Sequence, residues 1–524
     1  MDWSYQGMRM EKTGRKERFL IAGLAVGIIM FFVMICAVNL FHYNYRMNSD
    51  IASEALLGKE IWERGQLLPD TWYSSTEARV ISTPNLAALF YGMTKDMALS
   101  MGLSCCCMTA LILFSILFFC RQAGIGPGRS LLMVFLSLAL PADFNFLELV
   151  YLFAGYYGIQ TAVFFFTLGV YADALKTRKI KYVRAGISIL FALLLGFQGA
   201  RGILVIYIPL LAVEFLRGLC SLCGKQKKSK TDMLIGAWTA LLLAVSFWGN
   251  SFSFSVEQEF SRNIRNGFHK LIITVIPDML NIVGLWDGMT VGKICLGVFA
   301  ACAVIRMLII LWHLLKVTAG AVWGVKPEEW ICLVIGASPI ITAFAVAFTT
   351  IESAERYYFM LIYAMAFGAV LLSQREGCRW GLGILTATLA VLHIYQVYCP
   401  VFCAKEPPET ESLQVVRFLE ENNYSMAYAT FENANSMTLI SNGRVQVAPV
   451  ASTARMDICK WLSSSEWYVP VQPYHSMTAY VITENEMEEF RQFLKEKEET
   501  VSKAGQIGKF NIYVSEYNYS NGAP

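Results

Sequence analysis

Charge is what this sequence has least of. Only 16% of its residues are Asp, Glu, Lys or Arg, against the roughly 25% usual in a soluble domain, while 56% are hydrophobic. That imbalance excludes an ordinary soluble globular chain. Internal repeats and long low-complexity linkers are absent, and no ATP-binding motif supports a primary pump. The polar C-terminal region contains no G-x-S-x-G, no H-E-x-x-H and no phosphate-binding glycine loop, so none of those signatures makes it a second enzyme. The net charge of +3 reflects where loops lie rather than a nucleic-acid footprint, and no nucleic-acid partner is expected.

What the sequence does have is a succession of apolar runs. The first, Phe19 to Phe41, holds one strongly polar residue, Asn39, and exceeds the about 20 residues needed to cross a bilayer. It has no small-residue cleavage site, so it reads as an uncleaved first span. Further spans are expected over Met97 to Cys120, Ser130 to Pro141, Gly158 to Ala174, Ala185 to Leu195, Gly202 to Leu216, Met233 to Trp248, Gly292 to Leu315, Trp330 to Thr349, Tyr357 to Leu372 and Gly381 to Tyr398, giving about eleven. The stretch from Pro141 to Tyr157 reads as a re-entrant or interfacial element.

Lysine and arginine placement sets the orientation. Arg9, Lys12, Arg15, Lys16 and Arg18 precede the first span, Lys176, Arg178, Lys179 and Lys181 follow the fourth, and Lys225, Lys227, Lys228 and Lys230 follow the sixth. The N-terminus is therefore expected in the cytoplasm and the region after Tyr398 outside it. Two domains are expected: residues 1–403, a membrane domain whose outer loop 42–96 is acidic, and residues 404–524, a small extracytoplasmic α/β domain. In the latter, "ETESLQVVRFLEENN" and "TENEMEEFRQFLKEKEE" read as helices and "MAYATF", "VQVAPV", "TAYVIT" and "KFNIYVSEY" as strands.

Most of the 14 cysteines lie in or beside spans, where a thiol acts as a small hydrophobe. Cys220 and Cys223 have CxxC spacing but no second pair, which argues against a zinc site. Whether Cys399 and Cys403 pair is left open by the sequence.

The loop after the first span carries Asp50, Glu54, Glu60, Glu63, Glu77 and Arg79. If residues 51–64 are helical, Lys59, Glu60, Glu63 and Arg64 share one solvated arc, and a helix lying on the membrane surface buries Ile51, Ala55, Ile61 and Trp62. Asp50 and Glu54, four apart, then turn toward the protein. Two readings of Asp50 stay open, a helix-capping carboxylate or a functional one. Other outer turns add Arg201 in "GFQGARG", Arg265, His269 and Lys270 in "NIRNGFHK", and Glu352, Glu355 and Arg356 in "IESAERYYF". Each of these charges alone is explained by snorkelling at a helix end; acids and arginines together on one face point to a site.

This layout of a first span, an acidic outer loop with surface helices, an "ERYY" turn and a polar outer C-terminal domain resembles the GT-C membrane glycosyltransferases, in the branch of protein O-mannosyltransferases and lipid A aminoarabinose transferases. The stretch "YATFENANSMTLISNGRVQVAPV … KWLSSSEWYVP" also resembles the outer domain of bacterial members. The resemblance implies a polytopic α-helical, GT-C-like fold and transfer of a sugar from a polyprenyl-phosphate donor to an extracytoplasmic glycan, lipid or protein acceptor, with inversion. It implies Asp50 as the base, Glu77 or Glu54 as a second carboxylate, and Arg201, Arg265 and Arg356 as phosphate-binding residues. In "SDIASE", Asp50 stands without the adjacent acid of the Asp-Glu or Asp-x-Asp that several relatives carry, so a divalent cation, Mg or Mn, stays an open cofactor. His42 and His269 are alternatives for a minor role. Membrane lipids are the remaining partner. The rival reading is a transporter or flippase of lipid-linked saccharide, disfavoured because the charges lie at span ends rather than mid-span. In "WLSSSEWYVPVQPY", the residues Trp461, Trp467, Tyr468 and Tyr474 read as domain core or as an acceptor-binding or capping surface.

Overall fold

A computed structural model describes residues 15–141, 144–153, 156–223, 229–252, 261–282, 291–318, 325–404, 409–468, 477–496, 501–516 and 518. Among these, nine helices are long and apolar enough to cross a membrane: Arg18–His42, Met97–Ala123, Gly158–Thr177, Ile203–Cys223, Lys230–Asn250, Val291–Lys316, Pro327–Ala347, Glu355–Leu372 and Gly377–Phe402. Two shorter apolar helices, Pro127–Ala139 and Tyr182–Gln198, account for the other expected segments. The chain is a multi-pass α-helical membrane protein. Large apolar side chains such as Val26, Ile29, Phe114 and Trp312 stay exposed on these helices, as a lipid-facing surface requires. Where helices meet, small residues let backbones close up: a Cβ on Gly196 would lie 2.3 Å from the Ser246 carbonyl oxygen of the neighbouring helix.

The re-entrant reading of 141–157 meets a specific device. Its described residues form a short helix, Phe144–Val150, followed by a turn whose Tyr151, Leu152 and Phe153 are buried. Non-helical backbone at this depth needs protein partners. Asn39, the lone polar residue of the first span, supplies them: its Nδ2 donates to the Tyr151 carbonyl at 3.0 Å and its Oδ1 accepts from the Phe153 N–H at 2.9 Å. The Cys105 thiol donates to the Phe153 carbonyl at 2.8 Å.

The C-terminal region folds around a sheet. Numbering strands along the whole chain, β1 is Trp72–Tyr73, β2 Met426–Thr430, β3 Gln446–Val450, β4 Ser463–Ser464, β5 Thr478–Thr483, β6 Ser502–Ile507 and β7 Phe510–Ser515. Five of them form one sheet in the order β3-β2-β5-β7-β6, parallel across β3-β2-β5 and antiparallel beyond. Side chains alternate between its faces. Ala427, Ala429, Ala479 and Val481 pack with Val415, Val416 and Leu419 on one side, and Tyr428, Tyr480 and Ile482 with Tyr468, Phe490 and Phe493 on the other. All fourteen cysteines are free, including Cys399 and Cys403.

This domain is locked to the loop between the first two spans. β1 pairs antiparallel with β4, matching Trp72 to Ser464 and Tyr73 to Ser463. The helix Phe431–Ile440 packs on the loop helix Ser49–Arg64. Buried Glu60 accepts hydrogen bonds from Arg64 at 2.6 Å, Thr71 at 2.8 Å and Ser464 at 3.0 Å. Glu60 is therefore not on a solvated arc, as expected from helical spacing, but at a protein interface. Nor does Ser49–Arg64 lie with an apolar face on lipid: Ile51, Ala55 and Ile61 are buried by protein, and Trp62 is 43% exposed.

Candidate functional site

Asp50 stands in the first turn of Ser49–Arg64, but it does not cap that helix. Asn48 does, its side-chain oxygen accepting from the Ile51 N–H at 2.9 Å. The Asp50 carboxylate is thus free of the capping duty and lines a cleft on the face of the bundle that carries the C-terminal domain. Among the described residues, no ion pair or side-chain hydrogen bond holds it. Burial pushes its carboxyl above the ordinary carboxylate range, against the pull of Arg356 and Arg79.

The other acids of the loop are engaged. Glu54 is buried and held by a forked pair, Arg79 Nε donating to its two oxygens at 2.8 and 3.0 Å and Arg79 Nη2 to Oε1 at 2.5 Å. Arg79 Nη1 also reaches Glu77 at 3.2 Å, and Arg201 Nε binds the other Glu77 oxygen at 2.7 Å. The alternation Glu54, Arg79, Glu77, Arg201 spreads charge along a row in which every member has an opposite neighbour. Two rings lie beneath it: Arg79 sits 5.2 Å from the Tyr156 ring centroid and Arg201 4.3 Å from that of Tyr157.

The turn bearing Arg201 explains how loop and bundle come together. Gln198 accepts from the Ala78 N–H through its carbonyl at 2.9 Å and from the Ile81 N–H through its side chain at 2.7 Å. Gly199 has φ of +144°, and a Cβ there would be 3.2 Å from the Thr76 carbonyl oxygen. Glycine is required because the Glu77 loop lies against the turn.

The cleft has two chambers that share Asp50, Tyr156 and Arg356. The smaller, about 90 Å³, adds Glu77, Arg79, Tyr157, Arg201 and, from the C-terminal domain, Trp461 and Leu462. The larger, about 340 Å³, adds Glu148 and Glu355 and has an apolar side formed by Ile51, Phe146, Leu149 and Ile282. Asp50, Glu77, Arg201 and Arg356 thus meet in one place. Glu54 does not reach the cleft, being sealed under Arg79. Arg265 is exposed on the Ile264–Lys270 helix and lines neither chamber. Its neighbour Lys270 donates to the Val346 carbonyl at 2.9 Å and to that of Thr349 at 3.0 Å, closing off a helix end. His269 is exposed, and His42 packs edge-on against Phe402 at 5.3 Å. Sequence reasoning missed Tyr156, Tyr157 and Gln198; the "AGYYG" of the re-entrant element was the available signal for the two tyrosines. Of the aromatic cluster, Tyr468 is core, Trp467 stacks edge-on against Trp72 at 5.7 Å, and Trp461 reaches the cleft. Tyr474 lies outside the described residues.

Among the described residues, no group of three His, Cys, Asp or Glu side chains is placed to hold one divalent cation. Hard cations need several free oxygen ligands. Asp50 is the one carboxylate of the smaller chamber not already paired.

Fold and cleft define a multi-pass membrane protein with a charged two-chambered site at one end of its helices. No family model matches the chain, and no curated protein matches it. Among solved structures, that of ArnT from Cupriavidus metallidurans in the apo state is similar over 96% of this chain and 98% of that one, at 11% identity and a TM-score of 0.43. A likeness at that level identifies neither family nor activity, and the chemistry rests on the cleft's own residues.

Proposed function

We propose that the protein is an inverting glycosyltransferase of the GT-C type, which moves a sugar from a polyprenyl-phosphate donor to an acceptor hydroxyl or amine at the extracytoplasmic membrane face. The observation that carries this reading is the unpaired Asp50 carboxylate sharing a cleft with Arg201 and Arg356, at the bundle end opposite the basic loops. A free base beside cations suits a reaction in which a proton leaves one side as a phosphate leaves the other. Asp50 takes the acceptor proton while the acceptor atom bonds to the anomeric carbon. The bond from that carbon to the phosphate oxygen breaks, its electron pair stays on the phosphate, and Arg356 and Arg201 hold the charge with planar forks. One displacement inverts the carbon. Glu77, tied to two arginines, orients Arg201 and is not a second base; Glu54 anchors Arg79. Ile51, Phe146, Leu149 and Ile282 give the larger chamber an apolar wall for the start of the lipid chain.

The test is incubation of the purified protein with a panel of polyprenyl-phosphate sugars, following loss of each donor in the wild type and in Asp50→Asn. Consumption by the wild type that falls by orders of magnitude in the variant supports the reading. Equal consumption in both would remove Asp50 as base, and no consumption of any donor would remove the donor class.

A further inference from the structure

Trp461 belongs to the C-terminal domain, yet it lines the smaller chamber together with Asp50, Arg201 and Arg356. It is half-buried, and its indole N–H has no partner among the described residues. An aromatic face with a free donor at its edge, walling a polar chamber, is the chemistry that recognises a sugar ring: apolar C–H groups meet the ring and hydroxyls meet the polar tip.

The backbone around Trp461 is held at some cost. Leu462 has φ of +48°, a conformation that residues with a Cβ rarely adopt. A buried amide fixes it there. Asn435 Nδ2 donates to the Leu462 carbonyl at 3.1 Å and also lies 3.4 Å from the carbonyl of Ser49. Those two carbonyls belong to the residues next to Trp461 and Asp50. One side chain therefore sets the tryptophan and the carboxylate relative to each other, across the junction of domain and bundle.

From this arrangement we infer that Trp461 is the stacking platform for the donor's sugar ring, an inference that rests on the donor reading above. The ring bonded to the phosphate must lie within a bond or two of the arginines and within reach of Asp50, and the aromatic wall at that position is Trp461.

Binding of one polyprenyl phosphate, bare and carrying glucose, mannose or galactose, separates the roles. Trp461→Ala is expected to weaken the best glycosylated lipid about tenfold and to leave the bare lipid phosphate within about twofold, with Trp461→Phe recovering most of the loss. Unchanged binding of the bare lipid also reports that the variant is folded. Equal loss for bare and glycosylated lipid, or no loss for either, overturns the platform and leaves the donor reading standing. Failure of the wild type to bind any of these lipids overturns both.

Discussion

Arg201 and Glu77 are joined at 2.7 Å across the junction between a turn of the bundle and the loop after the first span. Because Arg79 holds the other Glu77 oxygen, one carboxylate fixes the positions of two guanidinium groups. Glu54 and Glu77 thus hold the guanidinium groups of Arg79 and Arg201, whereas Asp50 has no ion pair among the described residues.

Asp50→Asn separates chemistry from folding. Burial raises the Asp50 carboxyl pKa in the folded protein, so between the unfolded and folded values the native state binds more protons, and Asp50 ionisation disfavours folding as pH rises through that window. At neutral pH the neutral asparagine removes this cost. The variant is expected to melt at the same temperature or higher while transfer drops by about two to four orders of magnitude. In the wild type, transfer should rise with pH through an apparent pKa above the usual carboxylate value of about 3.9, and that limb should vanish in Asp50→Asn. A pH–rate profile beside a melting curve checks both.

Arg356 lines both chambers, and no salt bridge engages it among the described residues. Arg356→Lys keeps the charge but not the fork, so donor affinity should fall even in that variant, and further in Arg356→Ala. Melting temperature should hardly move in either. Titration of a polyprenyl-phosphate sugar against all three proteins gives the comparison, and equal affinities would take Arg356 out of the site.

Glu54→Ala is the opposite case. It removes the forked partner of the Arg79 guanidinium, which is 8% exposed and keeps only Glu77 at 3.2 Å, and breaking a buried pair from one side costs up to about 3–5 kcal/mol, less where a second partner stays. Stability and transfer should fall together. Thermal unfolding in detergent, read beside activity, distinguishes this pattern from that of Asp50→Asn.

Arg455 has a side chain 78% exposed on the C-terminal domain. A single cysteine placed there, in a background with no other, should react with a membrane-impermeant thiol reagent in intact cells. Reaction only after lysis would reverse the proposed orientation and move the cleft to the cytoplasmic side.

The spans were legible because long apolar runs leave few alternatives, and the four strands read from "MAYATF" to "KFNIYVSEY" because apolar positions recur every second residue. The helix Phe431–Ile440 was not: its buried Asn435 and Thr438 have hydrogen-bond partners in other segments, and buried Ser436 bonds back to Asn433, so its pattern looks polar from sequence alone. Strand β6 escaped for another reason, being an exposed edge whose "SKAGQI" has no buried face. Asp50, Glu77, Arg201 and Arg356 could be gathered onto one membrane face by alternating spans. Depth and direction within that face come from tertiary contacts, so helical spacing alone does not show that Arg265 lines neither chamber, that Glu54 is held by Arg79 or that Glu60 lies at a protein interface. Trp461 was visible as an aromatic, but which of its neighbours would be core depended on a left-handed residue beside it.

The pairing of Glu60 with Ser464 spans 404 positions of sequence, and Trp461 closes the same end of the cleft. During synthesis the chain lays down Asp50, Glu54 and Arg79 well before Trp461 and Leu462, the part of the smaller chamber's wall that the C-terminal domain supplies. A ribosome-bound intermediate holds the carboxylate without its aromatic wall. Completion of the chamber therefore waits on delivery of those later residues to the same end of the bundle, and a chain truncated before residue 461 lacks that part of the wall.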